Sequence, residues 1–398
     1  MAIYLDHAAT SPMPPEVIAA YASALAVVGN PASIHTQGQN AKRMLEEARE
    51  RVAASVGADS VEVTFTGGGT EAVNLGIKGL WWARASTGPA TDVARRRILV
   101  PRGEHHATID TIDWLEQHEG AVIEWIPIDG LGRIDLLALE AALGPDVALV
   151  TLLGANNEVG TVQPVAEVAA LAAVHDVPVH VDAIAGYGYL PIDFHALGVA
   201  AMSISAHKIG GPVGIGALVI ARSATIVPLF HGGNQQRARS GTQDVAGAVA
   251  FGLAASQATA DLEAHAASLR ELRDRLVAGI RDAVPTAILR GDPTPEGRLP
   301  GNAHFTFPGC EGDSLLFLLD VAGFSVSTGS ACQAGVPEAS HVLIAMGLSE
   351  ADARGALRMT LGTHTTRAEV DALVAALPDA VARAGRAGLA ERQPTFGR

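Results

Sequence analysis

The chain contains 398 residues, of which 48% are hydrophobic and 43 are glycine, and its formal net charge is -14. This length allows two domains with substantial cores, and the composition excludes disordered and fibrous classes. The acidic balance argues against a nucleic-acid partner, because broad contact with nucleic acid requires a basic face. The two cysteines do not indicate a secreted disulfide scaffold, and the sequence shows neither a signal peptide nor a long apolar run. We therefore expect a cytoplasmic protein without membrane contact.

The N-terminal region is predicted to be an arm followed by two helices. Prolines 12, 14 and 15 predict an extended arm over residues 1–15. A short helix follows, and then the loop GNPASIHTQGQ. Across residues 37–56, charged and apolar residues recur at helical spacing, which predicts an amphipathic scaffold helix.

A central region of alternating elements predicts the fold class. Between residues 61 and 220, β-rich runs alternate with helical ones, and the runs are VEVTFT, RILVP, AVIEWIPI, VALVTLL, VPVHVD, AAMSIS and IGALVI. This alternation favours an α/β fold with a mainly parallel seven-stranded sheet, which binds ligands at the carboxyl ends of its strands. We assign this large domain to residues 16–260.

The last third of the chain predicts a second, smaller α/β domain. A long Ala-rich helical stretch leads into residues 261–386, where the runs TAILR, NAHFTF, FSVST and LRMTL alternate with helices. Residues 387–398 lack periodicity, and we predict that they form a mobile tail.

One lysine stands out in the central region. The stretch AMSISAHKIGGPVGIG, residues 201–216, places Lys208 between an apolar strand and a glycine-rich turn. A partly desolvated amine loses proton affinity and becomes a nucleophile, as covalent carbonyl chemistry requires. The ordinary alternative is a solvated loop lysine, and neighbouring motifs must decide between the two.

Two upstream motifs favour a cofactor site. Asp182 ends the strand VPVHVD, where a carboxylate can pair with the pyridine nitrogen of pyridoxal phosphate. In TFTGGGTEAVN, a strand, a glycine turn and a helix start direct the backbone N–H groups of Gly69 and Thr70 toward an anion. The glycines do not match a Walker loop or a dinucleotide fingerprint. A phosphate cradle, an acidic strand end and a later lysine, in that order, sharply narrow the range of possible functions.

The ordered motifs resemble the cysteine desulfurases among the fold-type I, class V aminotransferase-like enzymes. The resemblance is collinear from YLDHAAT at residues 4–10 to LRMTLGTHTT at residues 357–366. The intervening motifs are GNPASIH, FTGGGTEAVN, GEHHAT, ANNEVGTVQP, HVDAIAG, SAHKIGGPVGIGAL, HGGNQQRARSGT and STGSACQAG. The resemblance implies conversion of L-cysteine to L-alanine, with sulfur taken up on an enzyme cysteine as a persulfide. The sulfur would then pass to an acceptor protein, such as an iron–sulfur scaffold or a protein of a thiolation system.

The resemblance also implies roles for individual residues. The residues implied to contact the cofactor are Gly69, Thr70, His105, Asn157, Asp182, Ser205, His207, Lys208 and Thr242. The residues implied to contact the substrate are Asn30, Asn157 and Arg358. His105 would stack on the cofactor ring and assist proton transfer, although an ordinary helix-start or core histidine is the alternative. Thr242 would come from the neighbouring subunit, which implies a homodimer. Arg358 would clamp the substrate carboxylate with its planar guanidinium.

Cys332 is the predicted sulfur acceptor of the enzyme itself. It lies in STGSACQAG, a glycine-containing loop that matches the longer-loop branch of the family and lacks RxGHHCA. A thiol that reaches first a substrate and then an acceptor protein needs an accessible loop. Cys310 is interpreted instead as a small buried hydrophobe. No HExxH motif or Cys/His cluster is present, so we expect no metal.

Two departures from the family pattern leave questions open. Ala185 stands where the family often has a glutamine bonded to the cofactor ring hydroxyl, so Asn157 acts there alone or another group replaces the amide. Ala206 stands where glycine is common. Alternative functions are a selenocysteine lyase or related aminotransferase, and a non-catalytic partner-binding relative. The second is disfavoured because Lys208, Asp182 and Cys332 are all present.

Overall fold

The computed structural model describes residues 2–85, 95–329 and 339–390. In its first half, the elements in chain order are β1 (Ile3–Tyr4), α1 (Pro15–Leu25), α2 (Thr36–Ala54), β2 (Val63–Thr66), α3 (Gly69–Ala85), β3 (Arg97–Pro101), α4 (His106–Glu119), β4 (Val122–Ile126), α5 (Leu136–Ala142), β5 (Val147–Leu153), α6 (Val165–Val174), β6 (Val179–Asp182), α7 (Phe194–Leu197), β7 (Ala201–Ser205) and β8 (Gly216–Ile220). The second half contains α8 (Val245–Ala260), α9 (Leu262–Ala283), β9 (Ile288–Leu289), β10 (Asn302–Thr306), α10 (Gly312–Val321), β11 (Phe324–Ser325), α11 (His341–Ala345), α12 (Glu350–Arg354), β12 (Ala356–Thr360) and α13 (Arg367–Ala390).

A seven-stranded sheet within the described residues forms the centre of the fold. Its strand order is β2, β8, β7, β6, β5, β3 and β4. Strand β8 is antiparallel to both neighbours, and the remaining neighbouring pairs are parallel. Each of the seven predicted runs contains one of these strands. The predicted α/β class with a mainly parallel seven-stranded sheet is therefore confirmed.

Two hydrophobic cores cover the opposite faces of this sheet. Along β8, Ala217 and Val219 belong to one core, whereas Leu218 and Ile220 belong to the other. The alternation arises because successive side chains of a strand point to opposite faces. Helices α2, α6 and α8 contribute to the first core, and α3 and α4 contribute to the second. Because both faces of the sheet are buried, we expect a ligand to bind along the carboxyl ends of the strands.

A smaller sheet follows the large one. Strands β12, β10 and β9 pair antiparallel, and a separate core beneath them includes residues of α9, α10 and α13. Strand β11, from the predicted run FSVST, instead pairs in parallel with β1 of the N-terminal arm. The arm therefore packs beside the smaller sheet, although it begins the chain.

The predicted domain limits at residues 15, 260 and 386 remain predictions. Helix α1 begins at Pro15, and α8 and α9 meet beyond Ala260 at an angle of 71°. Helix α13 continues through residues 387–390, where we placed the start of the tail. Among the described residues, no single helix has both the length and the apolar composition to cross a membrane, and α8 with α9 meets that criterion only as a bent pair.

Candidate active site

Lys208 lies one short turn beyond the carboxyl end of β7. A single 3-10 turn covers Ala206–Ile209, and Gly210 follows it with φ of 78°. This left-handed backbone suits glycine, and a Cβ there would lie 2.9 Å from Cδ of Pro14. The chain therefore reverses directly after Lys208, which leaves the lysine at the sheet edge where ligands bind.

A cavity of about 250 Å³ lies at this edge. Its lining consists of Gly69, Thr70, His105, Ala107, Leu153, Asn157, Asp182, Ile184, Ala185, Ser205, His207 and Lys208. All the residues predicted to contact the cofactor, except Thr242, are therefore brought together. They come from the ends of four strands, β3, β5, β6 and β7, and from the start of α3, because parallel strands present their carboxyl ends along one edge.

The lining residues fit pyridoxal phosphate. The N-terminus of α3 offers free backbone N–H groups to an anion, and at Gly69 a Cβ would lie 2.4 Å from Ile184. The hydroxyl of Ser205 is buried and has no hydrogen-bond partner within the described part of the chain. Asp182 is buried, and its Oδ1 accepts a hydrogen bond of 3.0 Å from the Ile184 amide. A donor-rich anion site and a buried carboxylate match a ligand that carries a phosphate and a basic ring nitrogen.

Burial sets the proton affinities of Lys208 and Asp182. Desolvation, followed by the positive charge of Arg358, lowers the pKa of Lys208 to about 8, although Asp182 and Asp6 act in the opposite direction. Desolvation raises the pKa of Asp182 to about 6, against the effects of the Ile184 hydrogen bond and the Lys208 charge. The lysine amine is consequently neutral in part at mildly alkaline pH, as a nucleophile or base requires.

His105 occupies the N-cap of α4 and lines the cavity. Its Nδ1 accepts a hydrogen bond of 3.0 Å from the Ala107 amide, which assigns the ring proton to Nε2. Burial, followed by the charge of Lys208, lowers the pKa of His105 to about 4. The ring is therefore neutral near pH 7. The adjacent His106 lies against His341, with a ring-centroid distance of 5.1 Å, and does not line the cavity.

Asn156 and Asn157 have separate roles. The Asn156 side chain accepts from the amides of Glu158 and Val159 and donates to the Gly103 carbonyl, so it shapes the turn. Asn157 lines the cavity and contributes a side-chain amide to the lining. Ala185 lines the same cavity and also a second one of about 40 Å³, which Asn157 and Lys208 also contact. The small alanine side chain leaves this space beside Asn157.

Arg358 lies on β12 and does not itself line the cavity, but it contacts Asn157, which does. Its side chain is 6% exposed; Nη1 donates to the Asn157 carbonyl at 2.9 Å, and Nη2 donates to Asp6 Oδ1 at 2.7 Å. The positive charge of Arg358 contributes to the lowered pKa of Lys208. A buried guanidinium with N–H groups to spare is suited to bind a carboxylate.

The other predicted site residues are not brought into the cavity. Asn30 is exposed, and its Oδ1 accepts from the Ala32 amide within its own turn. Thr242 is exposed in the segment before α8. Cys332 falls outside the described residues. Cys310 is buried, and burial raises the pKa of its thiol, so its predicted place in the core is confirmed.

The structure adds two acidic residues that motif reasoning missed. Asp6 pairs with Arg358, and the neighbouring carbonyl of Ala9 accepts from Lys208 Nζ at 3.0 Å. Glu104 is buried, and its Oε1 accepts from the Leu153 amide at 2.9 Å. Desolvation, together with the nearby Asp182 charge, raises the pKa of Glu104 well above its ordinary value. Both residues belong to motifs that carried the resemblance, YLDHAAT and GEHHAT. Their place in these motifs is the feature of the sequence that could have identified them.

Comparisons with known proteins identify the family. The family model for aminotransferase class-V matches residues 3–373. An IscS-like cysteine desulfurase from Mycobacterium tuberculosis is 53% identical over 97% of this chain and 98% of its own length. Cysteine desulfurase IscS from Dictyoglomus turgidum is 39% identical over 93% of this chain and 92% of its own.

Solved structures give the same result. A NifS-like protein superposes with a TM-score of 0.87 at 33% identity, covering 96% of this chain and 100% of its own. SspA in complex with cysteine superposes with a TM-score of 0.77 at 29% identity, covering 92% of this chain and 100% of its own. These neighbours confirm fold type I, and enzymes of this class use pyridoxal phosphate. The chain belongs to the class-V aminotransferase family and, within it, to the cysteine desulfurases.

Proposed function

We propose that this chain, with pyridoxal phosphate in the cavity at Lys208, converts L-cysteine to L-alanine and takes up the sulfur on Cys332 as a persulfide. The sulfur then passes to an acceptor protein, such as an iron–sulfur scaffold. The observation that carries the proposal is a single cavity that combines the low-pKa amine of Lys208, the buried Asp182 and the anion site at the start of α3.

The lining residues divide the work of holding the cofactor. When bound, pyridoxal phosphate supplies an electron sink for negative charge at the substrate α carbon. Asp182 would retain the proton on the ring nitrogen, because a buried carboxylate favours a cationic partner. The start of α3, Ser205 and His207 line the cavity and would bind the phosphate. His105, whose lowered pKa keeps the imidazole neutral, would pack against the ring.

Substrate binding and proton transfer fall to a second set of residues. Arg358 and Asn157 hold the carboxylate of L-cysteine and orient its α C–H bond. The neutral amine of Lys208 removes the α proton, since its lowered pKa makes the free base available near the working pH. His105 assists the transfer through the proton on Nε2.

The sulfur step belongs to Cys332. Its thiolate attacks the substrate sulfur, so an S–S bond forms while the substrate C–S bond breaks. The electron pair of the broken bond remains with the carbon skeleton, which takes up a proton at the former C–S carbon and becomes alanine. The enzyme retains the sulfur as a persulfide, and no external oxidant is needed.

We expect the purified protein, loaded with pyridoxal phosphate, to form one alanine for each sulfur that it retains or releases. Alanine is measured by amino-acid analysis, and sulfur by persulfide labelling and sulfide release. A reductant that frees the persulfide should increase turnover, because it regenerates the thiolate. Transfer of the amino group to a keto acid without sulfur release would instead establish the aminotransferase alternative. Activity with L-selenocysteine but none with L-cysteine would establish the lyase alternative.

We further propose a homodimer in which Thr242 completes the phosphate site of the neighbouring subunit. Two observations support this proposal. Thr242 lines no part of the cavity of its own chain, and its side chain is exposed in the segment between β8 and α8. The resemblance assigns a phosphate contact to this threonine from across the interface.

Subunit mixing tests the shared site. Lys208→Ala and Thr242→Ala, each impaired alone, should together recover about a quarter of wild-type activity after equal mixing, because half of the dimers are hybrids with one intact site. Lys208→Ala mixed with Ser205→Ala provides the control, since both residues line the cavity of one chain and no hybrid site is intact. Equal recovery in both mixtures, or none in the first after proven subunit exchange, contradicts the proposal.

A further inference from the structure

The N-terminal arm contacts both cationic side chains that the proposed reaction uses. Lys208 Nζ donates to the carbonyl of Ala8 and, at 3.0 Å, to that of Ala9. Asp6, two residues earlier, forms an ion pair of 2.7 Å with Arg358. A segment of four residues thus contacts the lysine on one side and the arginine on the other.

The backbone around Asp6 is held firmly against β12. Thr360 donates its amide to the Leu5 carbonyl at 2.7 Å, and its Oγ1 accepts from the Ala8 amide at 2.8 Å. On the arm itself, the Tyr4 hydroxyl donates to the carbonyl of Asp6 at 2.9 Å. The backbone of Asp6 consequently has a defined position, from which its carboxylate contacts Arg358.

Asp6 and the Asn157 carbonyl together restrain the guanidinium of Arg358. They accept from Nη2 and Nη1 respectively, and the buried Nε has no hydrogen-bond partner among the described residues. Because the guanidinium is planar with five N–H groups, two such acceptors fix its plane and leave other N–H groups for a ligand. An arginine this buried also needs a compensating negative charge when substrate is absent.

We propose that Asp6 is a positioning residue, which holds Arg358 in the orientation that binds the substrate carboxylate. This inference rests on the proposed function, in which Arg358 clamps that carboxylate. Asp6 acts through Arg358 and takes no part in bond making. The competing interpretation is that Asp6 occupies the carboxylate site of Arg358 and must be displaced, in which case removing its charge strengthens substrate binding.

The test is carboxylate selectivity of the loaded enzyme. Dissociation constants are measured from the visible absorbance change for L-alanine and for ethylamine, which is alanine without its carboxylate. Asp6→Asn should weaken the binding of L-alanine about tenfold or more, because a misaligned guanidinium loses a charge-assisted bidentate contact. The dissociation constant for ethylamine should not change. KM for L-cysteine should rise with kcat affected less. Asp6→Glu, which keeps the charge, should recover part of the selectivity.

Control variants separate positioning from general damage. Asp371→Asn removes a comparable carboxylate from Arg275 on the surface, where the contact is 2.6 Å, and should leave both dissociation constants unchanged. Asp6→Ser is the second neutral variant if Asp6→Asn does not fold. Equal weakening of L-alanine and ethylamine overturns the inference, because a merely structural role affects both ligands.

Arg358→Gln distinguishes the inference from the function on which it rests. It should reduce the affinity for L-alanine at least as strongly as Asp6→Asn does. The double variant that carries both substitutions should lose little more affinity than Arg358→Gln alone. If Arg358→Gln weakens the binding of L-alanine, whereas Asp6→Asn leaves it unchanged or strengthens it, the role of Asp6 is overturned and that of Arg358 stands. If neither variant weakens L-alanine, both assignments fail.

Discussion

Cys332→Ser is expected to bind L-cysteine and show the visible absorbance change of the wild type, yet to form almost no alanine and no protein-bound sulfur. In the proposed mechanism, Lys208 and Arg358 suffice to bind the amino acid and remove its α proton. The C–S bond, however, cannot break to a persulfide without a thiolate that accepts the sulfur. The measurement combines stopped-flow absorbance with alanine and persulfide counts on the same sample.

Cys310→Ser is the matched control for this experiment, since Cys332 and Cys310 are the two cysteines of the chain. Cys310 is buried against α13, with its Sγ 3.6 Å from the Val381 carbonyl, and we expect wild-type turnover from a correctly folded variant. Alanine formation from L-cysteine at the wild-type rate in Cys332→Ser would show that Cys332 is not the nucleophile. L-selenocysteine is avoided, because its weaker carbon–selenium bond is more easily cleaved without a thiol.

Lys208→Ala should abolish the visible absorbance band of the bound cofactor and lower turnover by at least about 10³-fold, since one substitution removes both the covalent anchor and the base. Asp182 and the anion site remain, so the variant should still take up added pyridoxal phosphate noncovalently. Borohydride reduction of the loaded wild type, followed by peptide mass analysis, should locate the cofactor on Lys208. The sequence contains three lysines, Lys42, Lys78 and Lys208, which makes that assignment simple.

Lys78→Ala is the control for this variant. Lys78 lies on α3 with its Nζ 4.0 Å from the centroid of the Trp114 ring, and it does not line the cofactor cavity. Its variant should keep both the band and the activity. A visible band of wild-type intensity in Lys208→Ala would contradict the assignment of the anchor.

Cofactor uptake by the unloaded wild type should depend on pH through the same amine. The pKa of Lys208 lies at about 8 instead of its ordinary 10.5. Below that value the amine is protonated and cannot attack the cofactor aldehyde, so the loading rate should rise as pH increases through about 8 and then level off. Stopped-flow absorbance measures this rate, and a midpoint near the ordinary lysine pKa would show that the site does not desolvate Lys208.

Local patterns were sufficient to predict the large sheet. Strand β5 is apolar at nearly every position and buried throughout, and such a run between helices is typical of a central parallel strand. The order of motifs also predicted that Asp182, Lys208 and the start of α3 would meet, because parallel strands present their carboxyl ends along one edge. Those inferences need only near neighbours in the chain and one general rule of sheet architecture.

The contacts of the N-terminal arm required the tertiary structure. An extended arm was predicted from its prolines, but its pairing with β11 depends on residues more than 300 positions away. The Asp6–Arg358 ion pair and the bonds from Lys208 to Ala8 and Ala9 arise only when the arm packs against β12 and against the turn that carries Lys208. Local periodicity carries no information about such distant partners.

Burial of ionisable groups was likewise decided by packing. Glu104 lies between a glycine and a histidine that look like an exposed turn in the sequence, yet its carboxyl is enclosed beside Asp182. The lowered pKa of Lys208 has the same origin, since desolvation by burial is its largest cause. Residue type and spacing predicted the chemistry of this site, whereas the surrounding packing determines the proton affinities of the groups proposed to carry it out.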